Sequence, residues 1–239
     1  MSYKTDCLIC GEELKYLDEY VKMTCSFCGK EFESNVSCIK DHYVCDGCHS
    51  LPANEIIKKI CIDSTLTDPV ELAVSIMKSP KVAMHGPEHH LLVPAVLLTV
   101  YYNLKNQPEL KAEKIEQAEK RAANVLGGFC GFCGDCGAAV GTGIFISLIT
   151  GANPLSKDEW KLSNLMTARS LLAIASLGGP RCCKRVSFIS IVEAIYFLDE
   201  HFGIVIPVKS DLVCEFSKLN RECLKEQCPF YNYLGRDES

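Results

Sequence analysis

Cysteine spacing constrains this chain more than any other feature. Sixteen of its 239 residues are cysteine, and seven of those fall in the first 48 positions. Counting His42, they form four ordered pairs: Cys7/Cys10, Cys25/Cys28, Cys38/His42 and Cys45/Cys48. A CxxC turn closes two thiolates on one ion, and a structural zinc site takes four such ligands with no open position. Eight ligands therefore predict two Zn²⁺ sites in a module over residues 1–50. Cysteines used only as buried apolar fillers have no reason to fall at this spacing. Rubredoxin-like iron is a further option for the same ligands.

Two pairings satisfy the spacing. Sequential pairing joins Cys7, Cys10, Cys25 and Cys28, and leaves Cys38, His42, Cys45 and Cys48 for the second ion. Cross-braced pairing joins Cys25, Cys28, Cys45 and Cys48, and gives Cys7, Cys10, Cys38 and His42 the other. The 16 residues between Cys28 and Cys45 lie in the usual zinc-ribbon range and favour the cross-brace. The run His42-x2-Cys45-x2-Cys48 resembles RING and treble-clef zinc modules, without the last ligand pair of a full RING pattern. Residues 1–50 hold five lysines, no arginine and nine acidic residues, a balance that opposes nucleic-acid binding.

From residue 51 to 239 the pattern changes to a mainly α, cysteine-rich domain. Thr67-Asp68-Pro69 places a capping side chain before a proline suited to the first helical turn, so a helix is expected over Val70–Ser79. Further helices are expected from Pro87 or Glu88 to Asn106 with a kink at Pro94, over Leu110–Leu126, from a capping box at Ser156–Glu159 to Ser176, and over Val186–Phe202. Ile204–Val208 reads as a short strand. The apolar stretches Leu91–Tyr102 and Ala138–Ile149 are broken by Pro94, Gly141 and Gly143 and fall short of the roughly 18 residues of a membrane span. Nor does the N-terminus carry a secretory h-region. A cytoplasmic location is expected, where thiols stay reduced and metal ligation is the first reading of so many cysteines.

Within this domain Gly127-Gly128-Phe129-Cys130-Gly131-Phe132-Cys133-Gly134-Asp135-Cys136-Gly137 sets three thiols at C-x2-C-x2-C. The interleaved glycines free the backbone to wrap a cluster and offer N–H groups to its sulfurs. The spacing begins a ferredoxin-type run but has Val140 at the fourth position, and it differs from the C-x3-C-x2-C run of radical S-adenosylmethionine enzymes. An Fe–S cluster is expected on this loop, with zinc, or redox-active or structural thiols, as the alternatives. Cys182 and Cys183, adjacent and therefore pointing apart, together with Cys214, Cys223 and Cys228, bring the total to eight thiols. That is enough for one or two 4Fe-4S sites: the loop with Cys182 or Cys183, and the other of that pair with the three tail cysteines. Arg181, Lys184 and Arg185 would offset cluster charge or form a solvated helix start. Cys61 is left as a small buried hydrophobe.

Half of the six histidines lie in His85-Gly86-Pro87-Glu88-His89-His90. Histidine exchanges protons near neutral pH and a carboxylate can orient it, so His85, Glu88 and His89 are the candidate catalytic groups. Capping or core packing is the competing reading. Gly137-Ala-Ala-Val-Gly141-Thr-Gly143 is not a phosphate loop and is expected to allow close helix packing.

With HGPEHH, FCGFCGDCGAAVGTG and GGPRCCKR in view, most of the chain resembles an uncharacterised cysteine-rich family of methanogenic archaea and other anaerobes. The resemblance implies a setting compatible with oxygen-sensitive clusters and assigns no reaction. Two functions are compatible with these residues. One is an Fe–S-dependent oxidoreductase or sulfur transferase acting on a small molecule. The other is a metal-binding adaptor or carrier serving a partner redox protein. An enclosed pocket joining the histidines to the cysteine loop would favour the first, and a cluster held near the surface the second.

Overall fold

The computed structural model describes residues 7, 12–26, 29–79, 81–208 and 212–231. Strands β1 (Leu14–Thr24) and β2 (Glu31–Cys38) form an antiparallel hairpin in which Leu14 faces Cys38 and Thr24 faces Glu31, with an irregularity between Tyr16 and Val21. Its apolar side chains Tyr16, Tyr20, Val21 and Phe32 are exposed, and no described hairpin residue belongs to the hydrophobic core. A two-stranded hairpin without a core is marginal in water. Helix α1 (Asp46–Asp63) follows directly and crosses the position at which the sequence pattern changes.

The rest of the fold is helical: α2 (Pro69–Met77), α3 (Glu88–Leu104), α4 (Lys111–Ala122), the single turn α5 (Phe129–Phe132), α6 (Gly137–Thr150), α7 (Asp158–Leu177) and α8 (Cys183–Phe202). The chain is thus mainly α, with its small sheet at the N-terminal end. Helix α3 is the hub, packing against α1, α2, α4, α6 and α8. Residues Leu91–Thr99 are buried without interruption because neighbours cover α3 on every side. It runs on through Pro94, whose ring is in close contact with Gly141 of α6; Gly143 in turn sits against Thr167 and Ser163 of α7. These glycines permit close helix approach, as their sequence context predicts.

Asp68 caps α2 as expected, accepting from the amides of Val70 at 2.9 Å and Glu71 at 3.2 Å. Asp68→Ala should lower the unfolding free energy by about 1 kcal/mol, measurable as a shifted urea midpoint; an unchanged midpoint would show the cap to be idle.

The ends differ elsewhere. No side-chain bond caps α7, because Ser156 Oγ accepts instead from the amide of Asn153 at 3.1 Å. Helix α4 stops at Ala122, short of the glycine pair, and α8 begins earlier than expected, at Cys183. Residues 203–208 are not a strand. Ile206 packs into the helical core, so tertiary burial accounts for the apolar run that suggested one. The tail then turns back through two short 3-10 turns, and Cys214 forms a parallel bridge with Tyr231.

Candidate functional site

At the N-terminal end the hairpin and the start of α1 gather two ligand groups. Cys7, Cys38 and His42 have one ligand atom each, all within 4.8 Å of one another, and so have Cys25, Cys45 and Cys48. Each group can hold a metal ion. The grouping is the cross-braced one; Cys10 and Cys28, the remaining expected ligands, lie outside the described residues. Cys7 Sγ is 3.7 Å from His42 Nδ1, close to the spacing of about 3.6 Å between a sulfur about 2.3 Å and an imidazole nitrogen about 2.05 Å from one tetrahedral ion. Backbone amides also face the sulfurs: Cys45 N–H donates to Cys25 Sγ at 3.3 Å and Lys40 N–H to Cys38 Sγ at 3.3 Å. Cys45 is the N-cap of α1 and Cys48 lies on its first turn, where the helix dipole favours thiolates.

The histidine segment opens α3, and its four polar side chains go to different places. His85 Nε2 lies 3.2 Å from Asn220 Oδ1 and 3.1 Å from Glu222 Oε2. Both are acceptors, so Nε2 carries the proton and the buried Nδ1 is left without a partner. Glu88 is buried, with Oε1 accepting from the Ala83 amide at 2.8 Å and Oε2 unpartnered 4.0 Å from His49 Nδ1. Burial raises its carboxyl above the ordinary range. It folds so closely over Gly86 that a side chain at that position would overlap the carboxylate.

His89 Nδ1 lies 3.2 Å from the carbonyl of Gly86, which can only accept, so the proton is on Nδ1 and Nε2 is a buried lone pair with no partner. Burial, then the nearby Lys184 cation, holds this imidazole well below its usual pKa. It is therefore a neutral acceptor rather than a ready proton donor. His90 Nδ1 donates to Val125 O at 3.0 Å, and its ring rests on Gly137 with no room for a Cβ there.

The cysteine loop is anchored to the N-terminal part by the Gly127 amide, which donates to Asp46 Oδ2 at 2.7 Å. Gly128 and Gly134 have φ of 87° and 68°, which glycine adopts at little cost. Cys130 and Cys133 are exposed, whereas Cys136 is buried as the N-cap of α6. The amides of Ala138 and Ala139 face the Cys136 sulfur, although burial still leaves its thiol pKa raised.

A cavity of about 940 Å³ joins these parts. His89, Cys130, Cys136, Cys183, Arg181 and Arg185 line it, with Leu171, Leu172 and Ile174 of α7 as its apolar wall. Of the three candidate catalytic residues, His89 lies on this cavity. His85 lines a second one of about 610 Å³ between the hairpin and the helices, and Glu88 lines neither. Tyr16, Gly128 and Arg181 border both cavities; Arg181 Nη2 is 3.3 Å from the Tyr16 hydroxyl, and Tyr16 and Phe132 have ring centroids 6.2 Å apart.

The adjacent cysteines do point apart. Cys183 lines the large cavity, while Cys182 turns to a small void that it shares with Cys214, Cys223 and Cys228. Amides of Arg185, Phe216 and Lys225 donate to the sulfurs of Cys182, Cys214 and Cys223 at 3.5, 3.4 and 3.4 Å. Lys184 is fully buried, its amine donating to Val82 O at 3.2 Å and Met77 O at 3.4 Å beneath the Phe216 ring. Asp46, Tyr16 and Gly86, which hold the loop, border the cavity and admit the Glu88 carboxylate, carry no local sequence signal of those roles. Cys61 is a buried core residue, as expected.

A sequence-family model described as a family of unknown function (DUF5714) matches residues 57–231. The chain belongs to DUF5714. The matched region holds the histidine segment, the cysteine loop, the Cys182–Cys183 pair and the tail cysteines, and starts after the last ligand of the N-terminal groups. No curated protein and no solved structure matches the chain. No described helix is long and apolar enough to cross a membrane.

Proposed function

We propose that this DUF5714 chain is a metalloprotein in which two structural Zn²⁺ ions shape the N-terminal module and Fe–S clusters of the 4Fe-4S type serve the helical domain. Its activity is redox or sulfur-transfer chemistry on a small molecule. The observation that carries this reading is the cavity on which Cys130, Cys136, Cys183 and His89 meet. Cys130, Cys133 and Cys136 supply three local thiolates, with Cys183 across the cavity as the fourth ligand. The second set is Cys182, Cys214, Cys223 and Cys228. Among the described residues, the groups with all ligand atoms within 4.8 Å are the two N-terminal ones. The wider tail set suits a cluster, whose thiolates each take a separate iron, better than a single ion.

Arg181 is exposed at the edge of the cavity and suits an anionic group on the substrate, while the neutral His89 Nε2 can accept a hydrogen bond from it. Glu88 and His85 then act from behind, by position rather than contact. Such clusters imply the anoxic setting suggested by the family resemblance, and a reducing, cytoplasmic location keeps the remaining thiols free. Exposure of Cys130 and Cys133 favours a second reading, in which the loop cluster passes electrons or sulfur to a docked partner protein.

Anaerobic reconstitution of the full chain decides the cofactor. Iron and sulfide should bind in near-equal amounts, with a thiolate-to-iron absorption band reduced in Cys130→Ala and Cys133→Ala. Zinc filling these cysteines, with no iron uptake, would reject the reading.

A further inference from the structure

We propose that the peptide joining Cys182 to Cys183 links the two cysteine sites into one electron path, with the tail site relaying electrons to the cavity site. This rests on the cluster reading above. Cys182 is the N-cap of α8 with extended backbone (φ −142°, ψ 105°), and Cys183 is the first helical residue. This change of backbone conformation sends the two side chains to opposite sides of the chain: one to Cys214, Cys223 and Cys228, the other to the cavity with Cys130 and Cys136. Consecutive Cα atoms are about 3.8 Å apart, so ligands of the two sites are joined through one peptide unit.

Arg185, two residues after Cys183, favours the same use: it is buried and borders both the tail void and the cavity. The Arg185 guanidinium is held by Gly178 O at 2.9 Å and Pro180 O at 2.6 Å, while its Nε has no hydrogen-bond partner. Buried cations are costly unless negative charge lies nearby. Two thiolate-ligated clusters would supply that charge to Arg185, and each becomes more negative on reduction, so Arg185 would stabilise the reduced form of both. The three amides donating to Cys182, Cys214 and Cys223 act in the same direction. The tail void is also far smaller than the cavity, so substrate chemistry belongs to the cavity and the tail site is left with electron transfer.

The step is a one-electron exchange. With clusters held by these cysteines, an external low-potential one-electron donor, a reduced viologen in the test, would give one electron to the tail site, which would pass it to the cavity site and return to its oxidised form. No bond is made or broken and no proton moves.

The test uses full-length protein reconstituted anaerobically, with iron and sulfide counted before reduction and low-temperature electron paramagnetic resonance recorded after it. Two clusters should be found, and the fully reduced protein should show signals split or broadened by mutual spin coupling. Cys223→Ser and Cys214→Ser, checked for retained helical circular dichroism, should each lose half of the iron and the splitting, and the remaining cluster should be reduced more slowly by the viologen. Iron for two clusters with simple additive signals would overturn the link and leave the cluster reading standing. Iron for a single cluster, unaffected by the tail variants, would overturn the relay alone. No iron in any preparation would overturn both.

Discussion

Cys45→Ala should abolish metal binding at one of the two proposed zinc sites and unfold the hairpin, while most of the helical circular dichroism survives. No described residue of the hairpin belongs to the hydrophobic cluster, which in the helical part starts at Ala53. Ligand closure around metal is then its principal source of order. Binding free energies of about 10–16 kcal/mol for structural zinc peptides are folding free energies in such modules, far more than an isolated hairpin supplies. Cys25→Ala should behave alike, because the Cys25, Cys45 and Cys48 ligand atoms converge. Zinc counting with a chromogenic chelator and limited proteolysis of the first 45 residues measure both effects. Unchanged zinc content together with protease resistance in that segment would reject the assignment.

Loss of the hairpin should also reach the cavities. The Gly127 amide depends on Asp46, and Arg181 on Tyr16, so the module supplies part of the scaffold that places the cysteine loop. Metals held by its two ligand groups would in this sense be structural at a distance from the proposed chemistry.

Local chemistry was the legible part of this chain. The Asp68 cap, the close-packing glycines of α6 and the divergence of Cys182 and Cys183 all follow from short-range rules of backbone geometry. The ligand spacing likewise led to the cross-braced groups that the structure brings together. Long-range placement was not legible. His85 and His89 are four residues apart in one motif, yet one turns to Asn220 and Glu222 and the other to the cysteine cavity. That division depends on how the tail folds back, which no local pattern encodes. The apolar run at residues 204–208 misled for a related reason: burial of Ile206 against helices looks, in sequence, like the alternation of a strand.

Lowering the pH from about 7.5 to about 5.5 should destabilise the fold through its buried imidazoles, whose unfolded-state pKa is about 6.5. Burial holds His89 well below that value, and His85 and His90 below it as well. As the pH falls through 6.5, roughly the unfolded value, the unfolded chain binds protons that the folded chain refuses. Stability is therefore complete above this point and declines below it, by up to about 1.4 kcal/mol per pH unit for each histidine. Glu88 works in the opposite direction. Its raised pKa lets the folded state take up a proton before the unfolded state does, so acidification relieves the cost of burying that carboxylate. One carboxyl against three imidazoles leaves a net loss. Urea unfolding across this range should show the decline, and His89→Gln, which cannot titrate, should flatten it by about one histidine's share. A variant with the same pH slope as the parent would show that His89 is not held neutral by the fold, and would remove the basis for treating its Nε2 as an acceptor in the cavity.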